Sequence, residues 1–341
     1  MRRMGPHSEG SARQAPFADL TPDAVLNAVD SVGLATTGTL LALNSYENRV
    51  FQIGVEGEQR FVVAKFYRPA RWTDAQIAEE HAFTQELADA EVPAVPPLAF
   101  DGRTLHAHAG HRFAVYPRRG GRAPEIEDRS VREWLGRFIG RIHAVGGREP
   151  FAHRPALDVE SFGEEPRAYL LASRWLPHEL RDVYAGVSAQ ALDEVRRSHE
   201  RAGEVRAIRL HGDVHVGNVL WTDAGAQRGP HFVDFDDARM GPAVQDLWML
   251  LSGSREERQA QLADLLAGYE DFAAFDRREL LLVEALRTLR LIHYSAWIAR
   301  RWDDPAFPAA FPWFDSPRYW EQKILELREQ IAAMSEPALV A

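Results

Sequence analysis

The sequence predicts an α+β fold of two lobes, a small strand-rich lobe followed by a larger helical lobe. Strand-like runs and a hairpin signal dominate the first third of the 341 residues, and helical periodicity dominates the rest. A segment rich in proline, arginine and glycine, residues 117–121, separates the strand-rich region from the helical region. We therefore expect a disordered tail at residues 1–16, an N-terminal lobe at residues 17–117 and a C-terminal lobe at residues 118–341.

Capping and turn signals place the elements of the N-terminal lobe. Thr21, Pro22 and Asp23 mark a helix start, because Thr caps the helix, Pro fits its first turn and Asp faces its positive end. Strands are expected at Arg49–Val55 and at residues 60–67, joined by a Glu-Gly-Glu turn. One helix and three short strands complete this lobe, at residues 74–90, 98–100, 104–107 and 112–116.

Helical periodicity in the C-terminal lobe is interrupted by a single hairpin signal. Apolar runs on both sides of a polar turn predict that hairpin within residues 211–234. The predicted helices of this lobe lie at residues 131–144, 189–202, 243–252, 256–272 and 277–301.

Composition excludes several classes of protein. The 45% hydrophobic content allows a sizeable core, and the absence of cysteine excludes disulfides and thiolate metal sites. A net charge of -10 argues against general binding to nucleic acid or anionic membranes. No apolar run reaches the length of a transmembrane helix. We expect a cytoplasmic monomer with no nucleic-acid or membrane partner.

The predicted hairpin carries the polar residues that phosphoryl transfer requires. Asp213 and Asn218 are five residues apart, and Asp234 follows sixteen residues later, each beside a short apolar run. Two paired strands would bring these side chains to one end of the hairpin. One carboxylate could then take a proton from an acceptor hydroxyl, while an amide and a second carboxylate hold Mg²⁺. Each fragment alone is typical of ordinary turns, but their order and spacing predict a kinase.

The same motif resembles a known family. Protein kinases carry H-R-D-x-x-x-x-N followed by D-F-G, whereas here Gly212 replaces the arginine and Asp236 replaces the last glycine. This variant, H-G-D-x-H-x-x-N followed by D-x-D-D, resembles the aminoglycoside phosphotransferase and choline kinase family. Further segments resemble serine/threonine protein kinases of that family, at residues 43–52, 62–73, 79–97, 241–253 and 300–313. The likeness covers residues 17–335 and implies a protein-kinase-like fold that binds ATP and Mg²⁺ between its lobes.

Lys65 and a following glutamate are the candidate nucleotide-binding pair. Lys65 lies in an apolar run, where the alternative is an edge-strand lysine that reaches water. In a kinase it would contact the α- and β-phosphates and need a helix carboxylate beside it. Glu79 and Glu80 are both candidates, and we select Glu80. Because the run is apolar, we expect Lys65→Ala to leave stability unchanged or slightly higher.

The phosphate-binding turn departs from the glycine-rich pattern. Residues 43–48 contain asparagine and serine, which favour turns and can bind phosphate oxygens through their side chains. The resemblance implies that Ser45 contacts ATP, and an ordinary β-turn is the alternative. Adenine is expected near residues 115–117.

On the catalytic side, we assign Asp213 as the base and Asn218 and Asp234 as Mg²⁺ ligands. His211 is expected to pack within the catalytic loop, which is the motif segment from His211 to Asn218. Asp246 is either an acceptor for the backbone of that loop or an ordinary helix carboxylate.

The acceptor is the least constrained part of the prediction. Aromatic residues crowd residues 297–320, where they could form a cage for a quaternary ammonium, but core packing is the favoured interpretation. The family resemblance favours protein serine and threonine hydroxyls as acceptors, including the protein's own at sites such as Ser8 and Ser11. The alternatives are a small-molecule kinase acting on an aminoglycoside, choline or related alcohol, and a pseudokinase that binds nucleotide without turnover.

Overall fold

The computed structural model describes residues 15–57, 60–223 and 228–341. Ser8 and Ser11, the predicted tail as far as residue 14, and Glu58 of the predicted hairpin turn lie outside the described residues. Among the residues that are described, no helix combines the length and the apolar character needed to cross a membrane.

A five-stranded antiparallel sheet forms the N-terminal lobe, with the strand order β1-β2-β3-β5-β4. Its strands are β1 (Thr36–Leu43), β2 (Arg49–Val55), β3 (Phe61–Phe66), β4 (His106–His108) and β5 (His111–Pro117). Two helices accompany the sheet, α1 (Pro22–Asp30) and α2 (Asp74–Asp89). Lys65 lies in β3, the central strand, where it pairs with Val50 of β2 and Ala114 of β5. The edge-strand alternative for Lys65 is therefore wrong.

Helices dominate the C-terminal lobe, which also contains two small strand pairs. Its helices are α3 (Arg129–Gly146), α4 (Glu165–Ala172), α5 (Arg181–Ala202), α6 (Gln245–Trp248), α7 (Arg255–Tyr269), α8 (Val283–Arg300), α9 (Ala306–Ala310) and α10 (Pro317–Ser335). The strand pairs are β6 (Ile208–Leu210) with β9 (Arg239–Gly241), and β7 (Val219–Thr222) with β8 (Gly229–Phe232). The boundary between residues 117 and 118 stays a prediction.

Several predicted elements need correction. The helix expected at residues 243–252 is only four residues long, since hydrogen-bonded turns follow Trp248. Residues 98–100 form no strand, and Phe100 makes only an isolated bridge to Arg103. The prediction missed β1, an edge strand whose residues are mostly exposed and which therefore lacks an alternating apolar pattern. It also missed α4 and α10, the latter capped by Ser316 with Pro317 at its first position.

The platform beneath the hairpin is built by close contact of α3 and α7. A side chain at Gly136, Gly140 or Gly268 would overlap the backbone of the facing helix, so glycine allows the two helices to touch. The core cluster formed by this pair also contains Val219 and Phe232 from the hairpin. The hairpin is thereby fixed on the helical lobe.

Candidate active site

The predicted hairpin is confirmed, and it brings its polar residues to one end. β7 and β8 pair from Val219 opposite Phe232 to Thr222 opposite Gly229. Asn218 precedes β7 and Asp234 follows β8, and the N–H of Val233 donates to the carbonyl of Asn218 at 3.1 Å. The amide Nδ2 of Asn218 donates to the carbonyl oxygen of Asp213 at 3.0 Å. Asp213, Asn218 and Asp234 all line one cavity.

Asp246 holds the catalytic loop from below. Its buried carboxylate accepts the backbone N–H groups of His211 and Gly212, each at 2.8 Å, and lies 3.1 Å from Nε2 of His143 on α3. Of the two interpretations of Asp246, the loop-binding one is therefore correct. His211 is fully buried, and its Nε2 donates to the carbonyl of Val233 at 3.0 Å, so its packing role is confirmed as well.

Gly212 is required by the backbone at the place where protein kinases have arginine. Its φ of +87° lies in the left-handed region, and an added Cβ would overlap the carbonyl oxygen of Asp237. The catalytic loop and residues 234–238, here called the Asp-rich segment, thus approach too closely for any side chain at position 212.

Asp234 is held in an uncommon backbone conformation. It has φ 61° and ψ 62°, a left-handed geometry that costs a non-glycine residue free energy. Its carboxylate is 53% exposed at the cavity, and Oδ1 lies 2.9 Å from the Nζ of Lys65. In this conformation the Asp234 side chain points toward the central strand of the other lobe.

Lys65 is a buried cation between two carboxylates. Its Nζ lies 2.9 Å from Asp234 and 3.1 Å from Asp236. Burial alone would lower the pKa of Lys65, but Asp234 and then Asp236 raise it well above its ordinary value. Lys65 and Lys323 are the only lysines among 40 basic residues in the chain. Lys65 therefore places a compact ammonium group at this site, in a protein whose lysine and arginine residues are nearly all arginine.

The predicted Lys65–Glu80 ion pair is absent from the structure. The carboxylate of buried Glu80 instead lies 3.1 Å from the guanidinium of Arg154, and Glu79 accepts backbone N–H groups of the segment that carries Arg154. Burial raises the pKa of Glu80 to about 6, against the opposing charges of Lys65 and Arg154. Glu80 is thus close enough to affect Lys65 electrostatically, but its direct partner is Arg154.

Asp213 faces a guanidinium and an imidazole. Its Oδ1 lies 2.8 Å from Arg290 on α8, and its Oδ2 lies 3.5 Å from Nε2 of His215. Burial would raise the pKa of Asp213, but hydrogen bonding to His215 and the charge of Arg290 hold it below its ordinary value. Asp213 is therefore ionised at neutral pH and able to accept a proton.

The cavity has a volume of about 430 Å³ and is lined by both lobes. The N-terminal lobe contributes the turn that contains Ser45, and the C-terminal lobe contributes the catalytic loop and one face of α8. Lys65 and Glu80 are buried behind this surface. The adenine site proposed at residues 115–117 is not part of the cavity lining and stays a prediction.

The donor set at the hairpin end fits a hard divalent cation. Asn218 and Asp234 both present oxygen atoms, the ligands that Mg²⁺ prefers, and Mg²⁺ typically uses one or two protein carboxylates together with phosphates and water. Over residues 15–57, 60–223 and 228–341, no group of three or more His, Cys, Asp or Glu side chains could hold a metal.

Two arginines at this site were not predicted from the sequence. Arg154 donates to the carbonyl oxygens of Asp236 and Ala238, each at 2.8 Å. Arg71 pairs with Asp236 and, at 2.9 Å, with Asp237. Neither arginine lies at a motif spacing relative to the hairpin, so the sequence offered no signal for them.

A family model described as the phosphotransferase enzyme family matches residues 39–283. The chain belongs to this family. Stress response kinase A of Escherichia coli (strain K12) is 44% identical over 323 residues, which are 95% of this chain and 96% of the relative. Serine/threonine protein kinase RdoA of Salmonella typhimurium (strain LT2) is 42% identical over 323 residues, again 95% and 96%. The family resemblance noted in the sequence is confirmed.

Solved structures confirm the fold class. The amicoumacin kinase hAmiN, in complex with AMP-PNP, Ca²⁺ and Ami, superposes with a TM-score of 0.69 at 17% identity. The superposition covers 92% of this chain and 94% of that one. The protein therefore has the two-lobed kinase-like α+β fold that the sequence predicted.

Proposed function

We propose that this phosphotransferase is an ATP- and Mg²⁺-dependent kinase that phosphorylates serine and threonine in proteins, including itself, and acts in a bacterial stress response. The observation that carries the proposal is the assembly of Asp213, Asn218 and Asp234 on one cavity, with Lys65 directly behind Asp234. The names of the two relatives support the protein acceptor and the stress response. The AMP-PNP and Ca²⁺ bound by the amicoumacin kinase support the use of a nucleotide and a divalent cation.

Each site residue then has a task set by its surroundings. Lys65 contacts the α- and β-phosphates of ATP, Ser45 contacts ATP from the turn, and Asn218 and Asp234 hold Mg²⁺. When bound, Mg²⁺ neutralises charge that develops on the phosphates. Asp213 orients the acceptor hydroxyl and takes its proton as the γ-phosphoryl group leaves ATP for the acceptor oxygen, which releases ADP. Because this transition state is loose, positioning and charge neutralisation supply most of the rate acceleration.

The charge pairing around the cavity disfavours a positively charged small molecule as the acceptor. An aminoglycoside or choline would be recognised by carboxylates without partners, but each carboxylate that lines this cavity already has a cationic partner. These residues are Glu47, Asp213, Asp234, Asp236 and Asp237. The cation nearest the proposed base is Arg290, which would repel a quaternary ammonium or an ammonium group.

The aromatic residues near the cavity pack on one another. Tyr294 and Trp297 stack with ring centroids 5.6 Å apart, Trp297 meets Phe311 edge-on at 5.7 Å, and Arg301 lies 5.5 Å from the Trp297 ring. Phe307, Phe311, Phe314, Tyr319 and Trp320 are buried in one core cluster. Core packing, the favoured interpretation of this segment, is confirmed.

The test is incubation of the purified protein with γ-labelled ATP and Mg²⁺, alone and with a general protein substrate, choline or an aminoglycoside. We expect phosphoserine or phosphothreonine by mass spectrometry on the wild type and none on Asp213→Asn, which keeps the shape of the side chain. Nucleotide binding by the variant serves as the folding control. An unmodified wild type that turns over choline or the aminoglycoside would establish a small-molecule kinase instead. ATP binding with no transfer to any acceptor would identify a pseudokinase.

A further inference from the structure

The turn that carries Ser45 is anchored to the opposite lobe. Residues 44–48 connect β1 to β2 and line the cavity, yet the turn contains no glycine with which backbone could wrap a phosphate. Its anchor is a set of charged side chains from both lobes, here called the interlobe ion cluster. The cluster consists of Glu47, Arg49, Arg68, Arg301 and Asp304.

Asp304 is the acidic residue that the C-terminal lobe contributes to this cluster. Its side chain is 1% exposed, and it lies 2.7 Å from Arg49 and 2.5 Å from Arg68, both in the N-terminal lobe. Burial would raise the pKa of Asp304, but hydrogen bonds from Arg49, Ala306 and Arg68 hold it below its ordinary value. The aspartate is therefore ionised and bound by the other lobe.

Glu47 makes the reciprocal connection from the turn itself. Its carboxylate lies 2.9 Å from Arg68 and 2.6 Å from Arg301, and it accepts the indole N–H of Trp297 on α8 at 2.5 Å. The neighbouring Tyr46 packs edge-on against Phe311 with ring centroids 5.1 Å apart. The turn thus contacts the helical lobe through a carboxylate and an aromatic ring.

Separating the lobes at this point would be costly. Removing one partner of a buried ion pair leaves an uncompensated charge in a poorly solvated place. Moving the lobes apart would separate Asp304 from Arg49 and Arg68 and leave its buried carboxylate without either guanidinium. The ion cluster therefore favours one closed position of the turn.

We propose that Asp304 and Glu47 are positioning residues for the nucleotide phosphates, which hold the Ser45 turn over the catalytic loop before ATP arrives. The inference rests on the proposed use of ATP, but not on the choice of acceptor. A turn ordered in advance loses less conformational entropy on binding, so affinity rises without any new contact to the ligand. The helical lobe then contributes to nucleotide affinity from the acceptor side of the cavity.

The experiment compares Asp304→Asn with Asp303→Asn, a neighbouring aspartate that is exposed and lies outside the ion cluster. Binding of a fluorescent ATP analogue with Mg²⁺ is titrated for both, and backbone hydrogen exchange is followed by mass spectrometry. We expect Asp304→Asn to weaken binding about tenfold, within the usual range of coupling between sites. Exchange should accelerate at residues 44–48 and stay unchanged at residues 211–218, while Asp303→Asn matches the wild type.

Stoichiometry separates positioning from loss of folding. A partly unfolded sample would bind less analogue per protein at an unchanged Kd, whereas a loosened turn binds a full equivalent at a higher Kd. If Asp304→Asn does not fold, Glu47→Gln supplies the same comparison from the turn. A Kd for the folded variant within about twofold of Asp303→Asn would overturn the proposal, since coupling between sites usually exceeds that. Because no acceptor is used, failure to phosphorylate proteins would leave this result standing.

Discussion

Replacing Lys65 by methionine should destabilise the folded protein, contrary to the expectation from its apolar sequence surroundings. Burial would raise the pKa of Asp236, but Arg71 and then Lys65 lower it from 3.8 to about 2. At about 1.4 kcal/mol per pKa unit, this corresponds to roughly 2 kcal/mol of stability, shared mainly by the two cations. Asp234 is half exposed and adds little, because solvent screens its pair with Lys65. We expect Lys65→Met to cost about 1–2 kcal/mol.

The pH dependence of this loss has a definite sign. Because the folded-state pKa of Asp236 is lowered, its contribution is complete above the unfolded value of 3.8 and disappears as the pH falls toward 2. The difference between wild type and Lys65→Met should therefore be full at pH 7 and shrink in that acidic window. Methionine keeps most of the side-chain volume, so the change reports lost charge instead of a cavity.

The assay is urea unfolding followed by tryptophan fluorescence, with Lys323→Met as the matched control. Lys323 is the other lysine of the chain; it forms an ion pair with Glu326, one turn away on α10, and lies over the ring of Tyr319 on the same helix. ATP–Mg²⁺ binding measured on the same samples should be weakened in Lys65→Met alone. An unfolding free energy for Lys65→Met equal to or above that of wild type would refute the reasoning about buried pairing.

Three further predictions concern the hairpin end, the loop at Gly212 and a buried glutamate of the C-terminal lobe. Asp234→Asn and Asn218→Ala should each raise the Mg²⁺ concentration needed for half-maximal transfer, and an unchanged Mg²⁺ titration in both would contradict their assignment. Gly212→Ala should cost about 2 kcal/mol or more in urea unfolding, because the Cβ meets backbone, and a variant as stable as wild type would exclude that clash. Glu279 is a buried residue of the C-terminal lobe whose carboxylate accepts the backbone N–H of Val244 at 2.8 Å. Burial raises the pKa of Glu279 from 4.5 to about 7, so wild-type stability should fall by about 3 kcal/mol as pH rises through that window. Glu279→Gln should remove this fall in thermal unfolding at pH 5 and pH 8; a parallel fall in the variant would assign it to other groups.

The sequence predicted those features whose signals are local. The hairpin, the Asp213–Asn218–Asp234 arrangement and the strand position of Lys65 all follow from residues within short stretches of chain. The catalytic loop could be placed for the same reason, because the spacing of its polar residues and the apolar runs beside them are local features of the sequence. Elements with weak local patterns, such as the exposed strand β1, were missed.

Partners far apart in the chain could not be predicted. Arg154 reaches Glu80 across 74 residues, and Arg68 reaches Asp304 across 236. No periodicity relates such positions, and several arginines were available to each carboxylate. The choice of Glu80 as the partner of Lys65 was wrong for this reason, because Glu80 pairs with Arg154 instead. The same applies to Arg290 beside Asp213, since α8 approaches the loop only after the helices have packed.

Arg154 has a consequence for how such an enzyme could be controlled. Its guanidinium joins Glu80 on α2 to the backbone of the Asp-rich segment, through the carbonyls of Asp236 and Ala238. Moving α2 away from this segment would leave the fully buried Arg154 and the two carbonyl groups without their partners, which is costly. Arg154 therefore fixes α2 to the segment of Asp236 and Ala238, so a control mechanism that depends on moving α2 away from this segment is disfavoured.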